Sequence, residues 1–324
     1  LITNTVVTKV LVDGKEATGV CIQNRDGSHQ NVYANREVIL SAGALGSPRL
    51  LELSGIGNSA ILRNAGIEPI HNLPGVGENL VDHLNTRIAY RCTKGITIND
   101  ALNRASYGAR LGMQYLFKRR GLLATPSVTV HALVRGRQSD ISPNIKLQIT
   151  HLSGESRYSM TKKSGLDKFS GFMLGSTPLY PDSRGSIHIR SNNPGENPKL
   201  QLNYLSSKSD MDAALLGIKF LRRLSANPKL AKLISEEIRP GKDIQSDSEL
   251  VDFVRSTAQT SWHPVGTCKM GNDSQAVVDP ELRVRGLSGL RVADASIFPD
   301  LVSVNTNAPA IMVGERCADF VNDS

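Results

Sequence analysis

Two short apolar runs, one near each end of the chain, constrain the fold more than any other feature. Val38-Ile39-Leu40 runs into Ser41-Ala42-Gly43-Ala44, and Leu290-Arg291-Val292 runs into Ala293-Asp294-Ala295-Ser296. The first is too short for a helix and ends in small residues, the pattern of a buried parallel strand entering a tight turn. Small side chains at Ala42 and Gly43 let the backbone approach a ligand closely. The second run repeats that texture some 250 residues later. The C-terminal segment is therefore expected to pack back on the N-terminal one, making a domain that is discontinuous in sequence.

The rest of the pattern fills in around this frame. Residues 5–12, 17–22 and 31–34 read as a meander of hairpins with turns at Asp13-Gly14 and Asp26-Gly27. A helix is expected from Ser47-Pro48, and another short one before Gly66. From about residue 84 the texture changes to strands at 86–91, 145–150, 171–175, 186–189 and 199–202, with helices at 101–117, 210–226 and 247–259. Ser and Asp residues cap the latter two helices. The expected fold is thus α/β with α+β. A discontinuous first domain at 1–83 and 261–324 would accompany a second domain at 84–260, with a mainly antiparallel sheet flanked by helices. The opening Leu1-Ile2-Thr3 and the strand pattern directly after it suggest that an earlier part of the fold precedes residue 1.

Composition enters mainly by exclusion. The charge excess of 38 − 30 = +8 is scattered apart from Lys118-Arg119-Arg120, so no nucleic-acid footprint is expected. Cys21, Cys92, Cys268 and Cys317 are widely spaced and form no CxxC pair, which predicts reduced thiols and, by default, a cytoplasmic setting.

Chemistry concentrates in Ser261-Trp262-His263-Pro264-Val265-Gly266-Thr267-Cys268-Lys269-Met270-Gly271 and in Asn305-Thr306-Asn307. An imidazole in an irregular, Gly- and Pro-bounded segment suits a proton acceptor, since its ordinary pKa of ~6.5 lies near working pH. An amide can donate to a substrate oxygen without titrating. From the residues alone, His263 could equally be a satisfied loop histidine, and Asn305 or Asn307 a cap for the apolar helix that follows. Pro74-Gly75-Val76-Gly77-Glu78-Asn79-Leu80, leading to Asp82-His83, lacks the spacing of a phosphate cradle. His83, His131, His151 and His188 show no metal-ligand spacing, and no metal site is expected.

Taken in order, these stretches resemble the glucose–methanol–choline (GMC) FAD-dependent oxidoreductases, in a choline-dehydrogenase-like form. Gly43–Gly57 is similar to the family's second signature, and Leu73–His83 resembles its loop over the flavin. His263–Gly271, Leu290–Ser296 and Asn305–Asn307 resemble its C-terminal motifs, and Ser183–Ser186 with Asn203-Tyr204 its connecting segment. The resemblance runs from residue 1 to about 321. It implies FAD-dependent oxidation of an alcohol CH–OH by hydride transfer, with His263 as base and Asn305 as its partner. It implies cofactor contacts from Val7, Ala42, Gly43, Trp262, Asp294, Ala295, Asn305, Thr306 and Asn307. Of these, Asp294 would meet the ribityl chain, Val7 the adenine and Trp262 also the substrate cavity. The small-molecule alcohol would be joined by oxygen or a quinone as electron acceptor. A GxGxxG fingerprint is absent from the 324 residues. The resemblance is therefore expected to cover a C-terminal portion lacking that segment, which a separate chain could supply; it implies that 1–83 and 261–324 form an incomplete, Rossmann-like FAD-binding domain and 84–260 the substrate domain. A flavin-free binding module and a hydroxynitrile-lyase-like relative are the alternatives.

Overall fold

β-Branched residues and turn glycines give the N-terminus its meander: β1 (Thr5–Asp13), β2 (Glu16–Asn24) and β3 (His29–Tyr33) pair antiparallel in that order. The computed structural model describes residues 1–126, 128–155 and 165–323. It separates into two compact units: Leu1–Asp82 with Ser183–Tyr204 and Trp262–Ser324, and His83–Asp182 with Leu205–Ser261.

In the first unit the two apolar runs meet. β4 (Val38–Leu40) and β15 (Leu290–Val292) pair in parallel, Leu290 opposite Val38 and Val292 opposite Leu40. These four side chains are buried in one core with Leu51, Val265, Cys268 and Val313. Burying each contributes about 1.5–3 kcal/mol. Arg291, 2% exposed, lies between them in sequence and is neutralised by Glu37 at 2.8 Å.

Helix α1 (Gly43–Leu53) follows β4 and starts four residues before the expected Ser47, so Pro48 sits inside it. Shorter elements follow: β5 (Ile56–Gly57) parallel to β6 (His71–Asn72), with α2 (Ser59–Asn64) between them. The unit closes with α8 (Asn307–Asn322).

One expected boundary differs. Residues 183–204, including the hairpin of β11 (Ser186–His188) and β12 (Lys199–Gln201), belong to the first unit and not to the 84–260 segment. Backbone pairing explains this: Leu80 and Gly185 exchange both hydrogen bonds, at 2.9 and 2.8 Å, and the Ile187 N–H donates to the Gly77 carbonyl at 2.7 Å.

The second unit is built on a six-stranded sheet in which every pairing is antiparallel. The order is β13 (Ile234–Arg239), β7 (Leu84–Cys92), β10 (Gly171–Pro178), β9 (Ile145–Thr150) and β8 (Val128–Val134), with β14 (Gln259–Thr260) on β7. Ile88 and Tyr90, two residues apart on β7, share a core with Leu174 of β10, Ile218 of α5 (Lys208–Ser225) and Val254 of α7 (Asp247–Thr257). α5 approaches β10 closely because residue 217 is glycine: a Cβ there would stand 2.0 Å from Ser176 Oγ. A short helix, α6 (Pro228–Ala231), precedes β13.

The helix expected at 101–117 is two: α3 (Ile98–Asn103), started by a Thr97–Asp100 capping box, and α4 (Ala105–Lys118), separated by an extended Arg104. β8 and β13 were not foreseen. β8 is exposed at most positions and β13 reads Ile-Ser-Glu-Glu-Ile-Arg, so neither carries a clean alternation.

Candidate active site

The C-terminal ends of β4 and β15 form the floor of the site, where ligands of α/β sheets bind. Gly43 holds a left-handed φ of +80°, and a Cβ built on it would meet no heavy atom within 4 Å. The Asp294 carboxylate ties the two strand ends together. It accepts the Gly43 N–H at 2.9 Å, the Ser47 hydroxyl at 2.5 Å and the Ser296 N–H at 2.7 Å. A carboxylate offers about four acceptor positions, so three are engaged by the chain itself and one is left for a hydroxyl. No side chain caps α1 at Ala42; the N–H of its first residue, Gly43, is satisfied by Asp294, whose carboxylate lies against the positive end of the helix.

Pro48 has a specific consequence here. It has no N–H to donate to the Ala44 carbonyl one turn earlier. The buried Thr267 hydroxyl donates to that carbonyl instead, at 2.6 Å. The proline thus opens a docking point on α1 for the segment carrying His263.

That segment is pinned along its length. Val265 and Val81 exchange backbone hydrogen bonds at 2.9 and 3.2 Å. The N–H groups of Gly266, Cys268 and Met270 donate to Ala295, Ser296 and Ile297 at 3.3, 2.8 and 2.7 Å. Cys268 is fully enclosed; burial and the nearby Asp294 charge push its thiol well above the usual range, so it is inert packing. Upstream, Trp262 adopts a left-handed φ of +58° and is about half exposed, whereas His263 is buried. The His263 N–H donates to Asp82 Oδ1 at 2.8 Å, and the Tyr204 hydroxyl donates to Asp82 Oδ2 at 2.5 Å.

Asn305, Thr306 and Asn307 stand where α8 begins. Thr306 is the N-cap and makes no side-chain cap bond; Asn305 and Asn307 are exposed. The positive end of α8 thus carries no side-chain cap, and a helix start of this kind favours negative charge.

A hydrogen bond joins Gly43 to Asp294, and the Ala295 carbonyl accepts the Gly266 N–H of the His263 segment. Val7 is not among them. It lies half-buried in β1 opposite Ile22, and β1 reaches the site only indirectly, through the Val10 N–H donating to Ser54 Oγ just after α1. Asp82, Tyr204, Ser47 and Thr267 were given no role from sequence. Only the adjacency of Asp82 to His83 in a Gly-rich loop hinted at one.

The other histidines are structural in different ways. His83 is fully buried and bonds the Leu179 carbonyl at 3.2 Å, while His131 is exposed. His188 bridges Glu52 at 2.7 Å and Glu78 at 3.1 Å. Among the described residues no cluster of His, Cys, Asp and Glu could hold a metal ion, and no helix is long and apolar enough to cross a membrane.

Comparison with known proteins decides the lineage. Residues 1–85 and 181–314 match the two family models described as GMC oxidoreductase. The chain belongs to the GMC oxidoreductase family. Because residues 1–85 match the family's N-terminal model, the expectation of a purely C-terminal portion is corrected: the chain carries residues of both models. Oxygen-dependent choline dehydrogenase of Vibrio vulnificus (strain YJ016) is 40% identical over 99% of this chain and 56% of its own length. Mitochondrial choline dehydrogenase of Homo sapiens is 39% identical over 98% of this chain and 52% of its own length. A solved formate oxidase of Aspergillus oryzae RIB40, studied for its FAD modification, superposes with a TM-score of 0.89 at 27% identity, covering 98% of this chain and 60% of that one. The chain therefore spans about half the length of the curated relatives it matches.

FAD is the cofactor of the GMC family, and the residues present fit parts of it. The open space beside Gly43, the exposed Ala42 and the remaining acceptor position on Asp294 suit a polyhydroxy chain. The uncapped start of α8 suits a group that gains negative charge on reduction.

Proposed function

We propose that this chain takes part in FAD-dependent oxidation of an alcohol to a carbonyl, with His263 as base and Asn305 as its partner. FAD, when bound, supplies the hydride acceptor. Ala42, Gly43, Asp294, Ala295, Thr306 and Asn307 are the residues we assign to holding it, with Val7 at the adenine end and Trp262 at the edge of the cavity.

The imidazole of His263 takes the hydroxyl proton, so that the carbinol hydrogen could leave with its bonding pair as a hydride while the carbonyl forms. Asn305 donates an amide N–H to the substrate oxygen and stabilises the alkoxide charge that builds there. Burial of His263 limits water access to the proton it has accepted. The observation that carries the reading is the seating of the His263 segment across the ends of β4 and β15, through the three bonds to residues 295–297 and the Thr267–Ala44 bond. The choline dehydrogenases among the relatives support an alcohol as substrate, choline being one candidate, and oxygen or a quinone as electron acceptor.

The test is alcohol turnover by the FAD-loaded enzyme carrying His263→Ala. Loss of a positioned base should lower it about 10²–10⁴-fold. Turnover at the parent rate would remove His263 from the chemistry.

A further inference from the structure

The loop Leu73–His83 ends on a carboxylate that the proposed chemistry does not use. Asp82 is 5% exposed, and its two oxygens have different tasks. Oδ1 accepts the backbone N–H of His263 at 2.8 Å, and Oδ2 accepts the hydroxyl of Tyr204 at 2.5 Å. Charge-assisted hydrogen bonds of this kind are about twice as strong as neutral ones.

Backbone strain gathers on both sides of this carboxylate. Trp262, immediately before His263, holds φ +58°; Asn203 and Leu205, which flank Tyr204, hold +49° and +59°. Left-handed conformations are costly for residues with side chains and persist only where surrounding contacts over-determine them. For Trp and Leu no local side-chain hydrogen bond can offset that cost, as it can for Asn. Contacts beyond the local backbone must hold them, and at the turn of Trp262 the Asp82 bond to the next N–H is such a contact.

We propose that Asp82, backed by Tyr204, is the positioning residue for the base: it fixes the left-handed turn at Trp262 and thereby sets where the His263 imidazole stands. This rests on the reading of His263 as the base. Asp82 touches neither substrate nor cofactor in this account, and acts only through the backbone of its neighbour.

The chain's single tryptophan is Trp262 itself, so its fluorescence reports on this turn with or without FAD. In Asp82→Ala, the Trp262 emission maximum and its acrylamide quenching should change. The rate constant of alcohol-dependent flavin reduction in the FAD-loaded enzyme should fall about 10²-fold, the size expected of a small misplacement of a reacting group. Asp82→Asn keeps an oxygen for the His263 N–H and should restore most of both signals. Tyr204→Phe leaves the carboxylate less restrained and should give intermediate values.

Parent-like quenching and reduction in Asp82→Ala would overturn the proposal, as would an equal loss in Asp82→Ala and Asp82→Asn with Trp262 unmoved. Should Asp82→Ala not fold, Tyr204→Phe decides: parent values for both signals overturn the proposal. Were His263→Ala to reduce flavin at the parent rate, the assignment of the base would fail. The Trp262 signal would still report whether Asp82 holds the turn.

Discussion

At the scale of single residues, the sharpest assignments concern groups whose partners are fully specified. His188 is one. Burial alone would lower its pKa, but the hydrogen bond and charge of Glu52, joined by Glu78, outweigh that and raise it above the ordinary 6.5. A raised histidine contributes stability that is fully present below about pH 6.5 and is lost as pH climbs through the higher folded-state value. The urea midpoint of the parent chain should therefore decline through the neutral range relative to His188→Gln, which carries no such titration. Parallel curves would contradict the bridge. Asn305 allows a second prediction. Removing one donor to a developing oxyanion should slow flavin reduction by the FAD-loaded Asn305→Ala enzyme about 10²–10³-fold, whereas removing a mere cap residue should cost stability and leave the rate alone. The sequence singles out His263 and Asn305 as candidates, because they lie in motifs. It does not show their restraints. Nothing in the composition or spacing of residues 82, 204 and 267 announces that Asp82 meets Tyr204 and His263, or that Thr267 meets Ala44, across more than a hundred positions of chain, and the left-handed turn at Trp262 breaks the backbone preference its residue type would suggest.

At the scale of elements, α1 and the His263 segment are coupled through a missing hydrogen bond. Thr267→Val leaves the buried Ala44 carbonyl without its donor while Pro48 cannot supply one, so it should destabilise the chain by about 1–3 kcal/mol. In a Pro48→Ala background the helix can regain its own N–H donor at position 48, and the cost of Thr267→Val should shrink. A double-mutant cycle in urea reads this coupling directly, with about 0.5–3 kcal/mol expected for groups in contact; a value near zero would show that proline and threonine act independently. Pro48 itself was visible in sequence, but as an early helix residue. Its real position, six residues into α1, follows from Gly43 turning left-handed at the end of β4 and starting the helix at once. The break at Arg104 was hidden for a different reason, because no side-chain cap marks the start of α4 there.

At the scale of the whole molecule, each unit is assembled from separated stretches of chain. The pairing of β4 with β15 was foreseeable because short apolar runs ending in small residues recur at both ends of the sequence. The attachment of residues 183–204 to the first unit was not, since it depends on backbone bonds at Leu80–Gly185 and Gly77–Ile187 that carry no side-chain signature. A chain ending at residue 289 would lack the strand opposite Val38 and Leu40 as well as α8. It should bind a hydrophobic dye and lose the cooperative unfolding of the first unit; unchanged unfolding would contradict the joint core. We propose that this unit presents a base and an oxygen clamp to a bound flavin, and anaerobic single-turnover reduction reads that arrangement without the reoxidation step. With saturating alcohol and the FAD-loaded enzyme, His263→Ala is predicted to reduce its flavin about 10²–10⁴-fold more slowly than the parent. Equal single-turnover rates in the two enzymes would contradict the account.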